Sequence, residues 1–147
     1  MKSKAPLTLM EQTVMVLVFA LAAAVCVQAF VKAERISVRS EERSYAALAA
    51  QDAAELLKYS GGDMGHALSQ AAELLDGSYE QGLLYLDYDA DWNPTERDGV
   101  YRLTAMGVPV EEPGLQKALV QVVTETTEEP ELLFELEAAW LEVSPDE

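Results

Sequence analysis

Between Leu7 and Tyr59 the chain contains neither glycine nor proline, and from Thr13 to Val31 it carries no charge. In that run of nineteen residues only Thr13 and Gln28 are polar. As an α-helix it would rise about 28 Å, close to the roughly 30 Å hydrocarbon core of a bilayer. Val31-Lys32-Ala33-Glu34-Arg35 continues with good helix formers. Tyr45, Leu48, Ala49, Ala53, Leu56 and Leu57 then recur at spacings of three and four, and Ser60-Gly61-Gly62 supplies a stop. The expectation is one helix of some 50 residues, about 75 Å long, its first half in lipid and its second on a soluble domain. The charged stretch Glu34 to Arg43 reads as a solvated helix face at the membrane exit.

Lys2 and Lys4 precede the apolar run, which keeps the short N-terminus cytoplasmic and sends the remainder across. Lys32, Arg35 and Arg39 follow it. A cleaved signal peptide is the alternative, with Val27-Gln28-Ala29 as the cleavage site and a mature start at Phe30. The run exceeds the usual 7–15 residue apolar region of such peptides, and helical sequence continues past the site. The lone cysteine, Cys26, lies inside the run, so no intramolecular disulfide forms. Val25 is too large for the position before a lipidated cysteine.

Charge separates the chain in two. Residues 1–44 hold six basic and four acidic side chains, a net +2; residues 45–147 hold 4 basic and 22 acidic, a net −18. A region so acidic is repelled by phosphate backbones, which excludes nucleic acid as its partner.

Glu11 stands at the cytoplasmic edge of the apolar run. A carboxylate at mid-membrane costs on the order of 2.5–3.5 kcal/mol, less near an edge, and needs a cationic partner. Snorkelling, or Lys4 two turns back, is the plain account. The stretch LTLMEQTVMVLVFALAAAV, Leu7 to Val25, resembles the start of mature type IV pilins and type II secretion pseudopilins. In that family a short basic leader precedes a hydrophobic residue, Thr, Leu, an aliphatic residue and Glu, and an apolar helix follows. Leu7, Thr8, Leu9, Met10 and Glu11 match in register. The resemblance implies that Leu7, Thr8 and above all Glu11 are assembly residues, with Glu11 neutralising the N-terminal amine of a neighbouring subunit. It also implies processing between Pro6 and Leu7. Pro6 departs from the family's Gly at that place, and proline fixes φ and removes an N–H, which obstructs a peptidase that needs extended backbone. An uncut chain would keep Lys2 and Lys4 as counter-charges for Glu11. Ala20, Ala22, Ala23 and Ala24 allow close helix approach.

After the long helix, Asp63 can cap a second one ending near Asp76-Gly77, with Met64, Ala67, Leu68, Ala71 and Leu75 as its apolar stripe. Period-two patterns then mark four strands: Leu84 to Tyr88, Val100 to Ala105, Leu115 to Thr126 and Leu132 to Val143. Leu132, Phe134, Leu136, Ala138 and Trp140 share a face of the fourth. Turns fall at Trp92-Asn93-Pro94, Glu112-Pro113-Gly114 and Glu128-Glu129-Pro130. The predicted fold is α+β: a long N-terminal helix, its first half membrane-spanning, packed on a small four-stranded antiparallel sheet, as the resemblance also implies. The predicted organisation is a cytoplasmic leader (1–6), a transmembrane half-helix (7–31), an extracytoplasmic half-helix (32–60) and a small helix-plus-sheet domain (61–147).

One cluster invites a metal reading. Asp87, Asp89, Asp91 and Asn93 alternate, as oxygen ligands do in calcium loops. Trp92 stands where the EF-hand needs Gly, and Asp98 where a bidentate Glu belongs. The plain reading is a polar hairpin loop with an Asn-Pro turn. Calcium is thus the sole cofactor candidate. His66 has no second His or Cys near it. No nucleophile elbow, phosphate-cradling Gly loop or Cys/His constellation is present, so no enzyme activity and no small-molecule substrate are expected.

These readings point to a structural pilin-like or pseudopilin-like subunit of a type IV pilus or type II secretion-type fiber. It would be single-pass, with a cytoplasmic N-terminus and an extracytoplasmic acidic domain, its partners the bilayer and other pilin-like subunits. The competing class is a singly anchored, or signal-peptide-cleaved, binding module that uses the Asp87–Asp91 loop. The first depends on Glu11; the second depends on Asp87, Asp89 and Asp91.

Overall fold

The computed structural model describes residues 4–126 and 129–142. Lys2, Glu128 and Val143, which the sequence places in the leader, a turn and the end of the last strand, lie outside them. The chain divides after Glu41 into two compact units. Among the described residues, helix α1 (Ala5–Ser60) supplies all the secondary structure of the first and opens the second.

Helix α1 begins where Thr8 N–H reaches Lys4 C=O at 3.3 Å. Pro6 sits in that first turn, where its missing N–H breaks no helical bond. The helix ends as predicted at Ser60. Gly61 takes φ +60° and donates to Leu57 C=O at 3.1 Å, the left-handed cap that glycine reaches without a Cβ penalty.

In the second unit α1 buries Ala46, Ala50, Ala53, Ala54 and Leu57. Tyr45 and Leu48, expected on the packed face, are exposed. Ala49, Ala53, Leu56 and Leu57 of the expected stripe do pack into the core, and the face extends to Ala46, Ala50 and Ala54, where alanine lets the helix backbone approach the sheet closely. Leu84, Leu103, Val120 and Val122 supply the bulk from the other side.

Helix α2 (Met64–Leu74) has Asp63 at its N-cap, but the Asp63 side chain makes no capping bond. The helix buries Ala67, Leu68, Ala71 and Ala72. Gly77 N–H returns to Ala72 C=O (2.8 Å) and Asp76 N–H to Glu73 C=O (3.4 Å), with Asp76 at φ +55°. That is a Schellman closure with aspartate in the left-handed position.

The four predicted strands form, as β2 (Leu83–Tyr88), β4 (Tyr101–Gly107), β5 (Leu115–Thr124) and β6 (Glu131–Leu141). The sheet has six strands rather than four, because β1 (Ser78–Glu80) and β3 (Pro94–Thr95) both pair with β2. All pairings are antiparallel, in the order β1-β2-β4-β5-β6. Gln81 and Gly82 take φ +53° and +83°, turning β1 into β2 in two residues. The buried face carries Leu84, Leu86 and Tyr88, then Tyr101, Leu103 and Ala105, then Ala118, Val120 and Val122. On β6 the alternation slips. A register shift between Val122 and Val123 sets Phe134 and Leu132 opposite consecutive residues of β5. Leu133 turns inward and Leu132 is 47 % exposed, the reverse of the strict period-two reading. Trp140 Nε1 donates to Gly62 C=O at 3.0 Å, tying the last strand to the α1–α2 turn.

Candidate functional site

Two regions hold the residues that the sequence singles out. In the first, residues 5–41 of α1, no described side chain is buried. Leu7 is 78 % exposed and Phe30 79 %, with Val14, Leu17, Phe19 and Leu21 also open. An apolar surface of that extent is stable only against lipid or other apolar protein. Among the described residues this is the one helix long and apolar enough to cross a membrane. Leu7, Thr8 and Glu11 are all exposed on it. Thr8 Oγ1 bonds back to Lys4 C=O (3.2 Å) and Thr13 Oγ1 to Leu9 C=O (2.8 Å), so both hydroxyls find partners on the helix itself.

The second region is the β2–β4 connection, which the sheet register folds back beside α1. Asp87, on β2, faces Arg102 on β4. Arg102 Nε donates to Asp87 Oδ1 (2.7 Å) and Nη2 to Oδ2 (3.0 Å), a two-pronged pair. Arg102 Nη1 also meets Glu125 Oε1 at 2.9 Å. The bond to Asp87 raises the guanidinium pKa. Gly99 lies so close that a Cβ there would sit 2.8 Å from Asp87 Cβ, so only glycine fits.

Asp89 organises the loop tip. Its Oδ1 accepts from the N–H of Asp91 (2.8 Å) and of Asn93 (2.9 Å), and Asn93 Nδ2 approaches both carboxylate oxygens at 3.4 Å. The N–H of Asn93 does most to hold the Asp89 carboxyl below its ordinary pKa; burial opposes it, and the N–H of Asp91 and the Asn93 side chain add smaller lowering effects. The structure therefore brings Asp89 and Asn93 together, turns Asp87 toward Arg102, and leaves Asp91 exposed. Among the described residues no group of three or more His, Cys, Asp or Glu side chains is arranged to hold a metal ion.

This loop also sets an aromatic stack around Trp92. Trp92 takes φ +62°, which throws its indole over the Tyr101 ring at 4.1 Å between centroids and 11° between planes. Tyr45 of α1 and Tyr88 of β2 flank it, each at 5.8 Å. Tyr101 Oη donates to Glu42 Oε1 at 3.0 Å. Burial, reinforced by Glu42, pushes the Tyr101 phenol up to about 12; burial and Asp52 raise Tyr88. Glu42 and Tyr101 are 59 residues apart, so spacing gave no sign of the bond. The Asp87–Arg102 pair was readable in principle from the strand register. The loop thus acts as a clasp that fastens the sheet to α1.

No known protein family, curated protein or solved structure matches the chain.

Proposed function

We propose that the chain is a structural, pilin-like or pseudopilin-like membrane subunit. Thr13–Val31 crosses the bilayer with the N-terminus cytoplasmic, and the acidic sheet unit faces the extracytoplasmic side. The subunit joins a type IV pilus or type II secretion-type fiber through α1. Glu11 pairs with a cationic group of an adjoining subunit, and the small residues from Ala20 to Ala24 let helices come close. The observation that supports this best is the contrast along one continuous helix: an apolar first half without a buried residue, and a second half seated on an antiparallel sheet. The acid–amine pairing follows from the in-register Leu7-Thr8-Leu9-Met10-Glu11 segment and from the cost of a lone carboxylate in lipid.

The test is Glu11→Ala in the cell that makes the protein. Membrane insertion is retained and co-purification with other pilin-like subunits is lost. Intact assembly in that variant would remove the proposal. The mass of the membrane-extracted chain then fixes its maturation: a start at Leu7 marks pilin-type cleavage despite Pro6, a start at Met1 or Lys2 an uncut anchor, and a start at Phe30 a secreted domain.

A further inference from the structure

The two edges of the sheet differ. At one end β1 is 3 residues long. At the other β6 has 11 residues, and among the described residues no strand pairs with its far side. The backbone shows which groups that side offers. Glu142 N–H donates to Gly114 C=O at 2.7 Å, one step past the Leu115–Leu141 register pair. With the two-residue period of a strand, Trp140, Ala138, Leu136 and Phe134 then turn their N–H and C=O toward β5. The pairing of β5 with β4 agrees: Val108 N–H donates to Lys117 C=O at 2.7 Å, so Lys117, Leu119 and Gln121 turn their backbone groups to β4. Glu135, Glu137 and Ala139 therefore direct theirs away from the sheet, and all three residues are exposed. Such a row is a template for another strand.

The side chains along that row select what can be added. β6 reads ELLFELEAAWL, with acids and no base. Pairing it with β6 of a second copy sets two glutamate-bearing faces side by side, which opposes the contact. The outer face of the sheet shows the favoured arrangement, since its acids meet bases on the neighbouring strand: Asp87 with Arg102 at 2.7 Å and Glu137 with Lys117 at 2.6 Å. Glu135 takes a hydrogen bond from neutral Gln121 at 2.6 Å. A strand laid against β6 sets every second side chain on the outer face, beside Glu135 and Glu137, where a base is favoured. The alternate side chains fall on the inner face, beside half-buried Phe134 and Leu136, where apolar groups are favoured.

We propose that the far edge of β6 binds an extended segment of another protein in which Lys or Arg alternates with apolar residues, added antiparallel as a further strand. Main-chain bonds to Glu135, Glu137 and Ala139 supply affinity, and the two glutamates select the basic face of the segment. The contact needs neither the bilayer nor Glu11, so it stands or falls apart from the assembly role of α1.

The experiment uses the full chain in mild detergent. The probe is a dye-labelled peptide of about eight residues alternating Lys and Val, blocked at both ends. Fluorescence anisotropy at low salt shows saturable binding to the wild type. Ala139→Pro removes an N–H that points away from β5, so the β5–β6 ladder stays whole, which circular dichroism and Tm verify. It weakens binding by about tenfold or more. Glu135→Gln with Glu137→Gln weakens it by about fivefold, about 0.5 M NaCl does the same to the wild type, and a peptide alternating Glu and Val does not bind. Methylating the backbone nitrogens of the probe's lysines abolishes binding, whereas methylating those of its valines preserves it; this comparison requires no variant to fold. Absence of saturable binding, unchanged binding in the folded proline variant or in the glutamine variant, or equal binding of the two methylated probes overturns the proposal. A wild-type dimer that Ala139→Pro converts to monomer assigns the edge to a second copy and also overturns it.

Discussion

Helix α1 holds two alanine-rich stretches with opposite surroundings. Ala20, Ala22, Ala23 and Ala24 are exposed. Ala46, Ala50 and Ala53 are fully buried against the sheet. The same small side chain does the same geometric work in both, letting another backbone come near. Only the second stretch finds its partner within the chain. The sheet unit therefore draws its stability from contacts it makes itself, whereas the apolar residues of Thr13–Val31 find no such contacts within the chain.

Removing apolar volume breaks that contrast most sharply. Leu103→Ala empties a fully buried site on β4 and is expected to cost about 2–5 kcal/mol in urea unfolding of the full chain in mild detergent. Leu17→Ala, 58 % exposed, is expected to change the same transition by less than about 0.5 kcal/mol. Equal effects would show that the apolar half-helix belongs to the folded core.

The aromatic clasp comes next. Trp92→Ala strips the ring that stacks on Tyr101 and Tyr45 and is expected to cost about 1–3 kcal/mol, with Trp140 left as the fluorescent reporter. Tyr101→Phe removes only the hydrogen bond to Glu42, an expected loss of about 1 kcal/mol. It also changes the alkaline side of the stability profile. The Tyr101 pKa rises from 10.0 to about 12 on folding, so its contribution is complete below pH 10 and lost as pH climbs toward 12. Tm measured across that window should fall less steeply in the Phe variant. Tyr88, raised in the same direction, keeps part of the slope.

The smallest expected effect is at Asp89. Its lowered pKa contributes stability above the ordinary carboxyl range, and this is lost as pH falls through the lowered value. Asp89→Ala should lower Tm at neutral pH, with the gap from wild type closing in acid. A gap that persists in acid would mean that the Asp89 carboxylate is not what holds the loop.

Much of this architecture was legible. The absence of Gly and Pro up to Tyr59 marked α1, and Gly61 marked its end. Alternation along β2, β4 and β5 carries the buried face, because the pairings among these three strands run without a register shift. On β6 the expected face held at Phe134, Leu136, Ala138 and Trp140 and failed at Leu132, where the bulge turns Leu133 inward, and a bulge leaves no mark in a run as apolar as Leu132-Leu133-Phe134. β1 escaped because all three of its residues are exposed; the Gln81-Gly82 turn was its only trace. In the loop, the alternating acids suggested shared ligands. Side-chain geometry instead gives Asp87 an arginine and Asp89 its own backbone, pairings that depend on strand register and on the left-handed turn at Trp92.

The central claim is that the first half of α1 lies in hydrocarbon, and Cys26, the chain's single cysteine and exposed in the folded chain, reports on it directly. In intact membranes a water-soluble maleimide should leave Cys26 unmodified, because the reagent does not enter hydrocarbon; after solubilisation and unfolding it should modify every chain. Full modification in sealed, intact membranes would contradict the account.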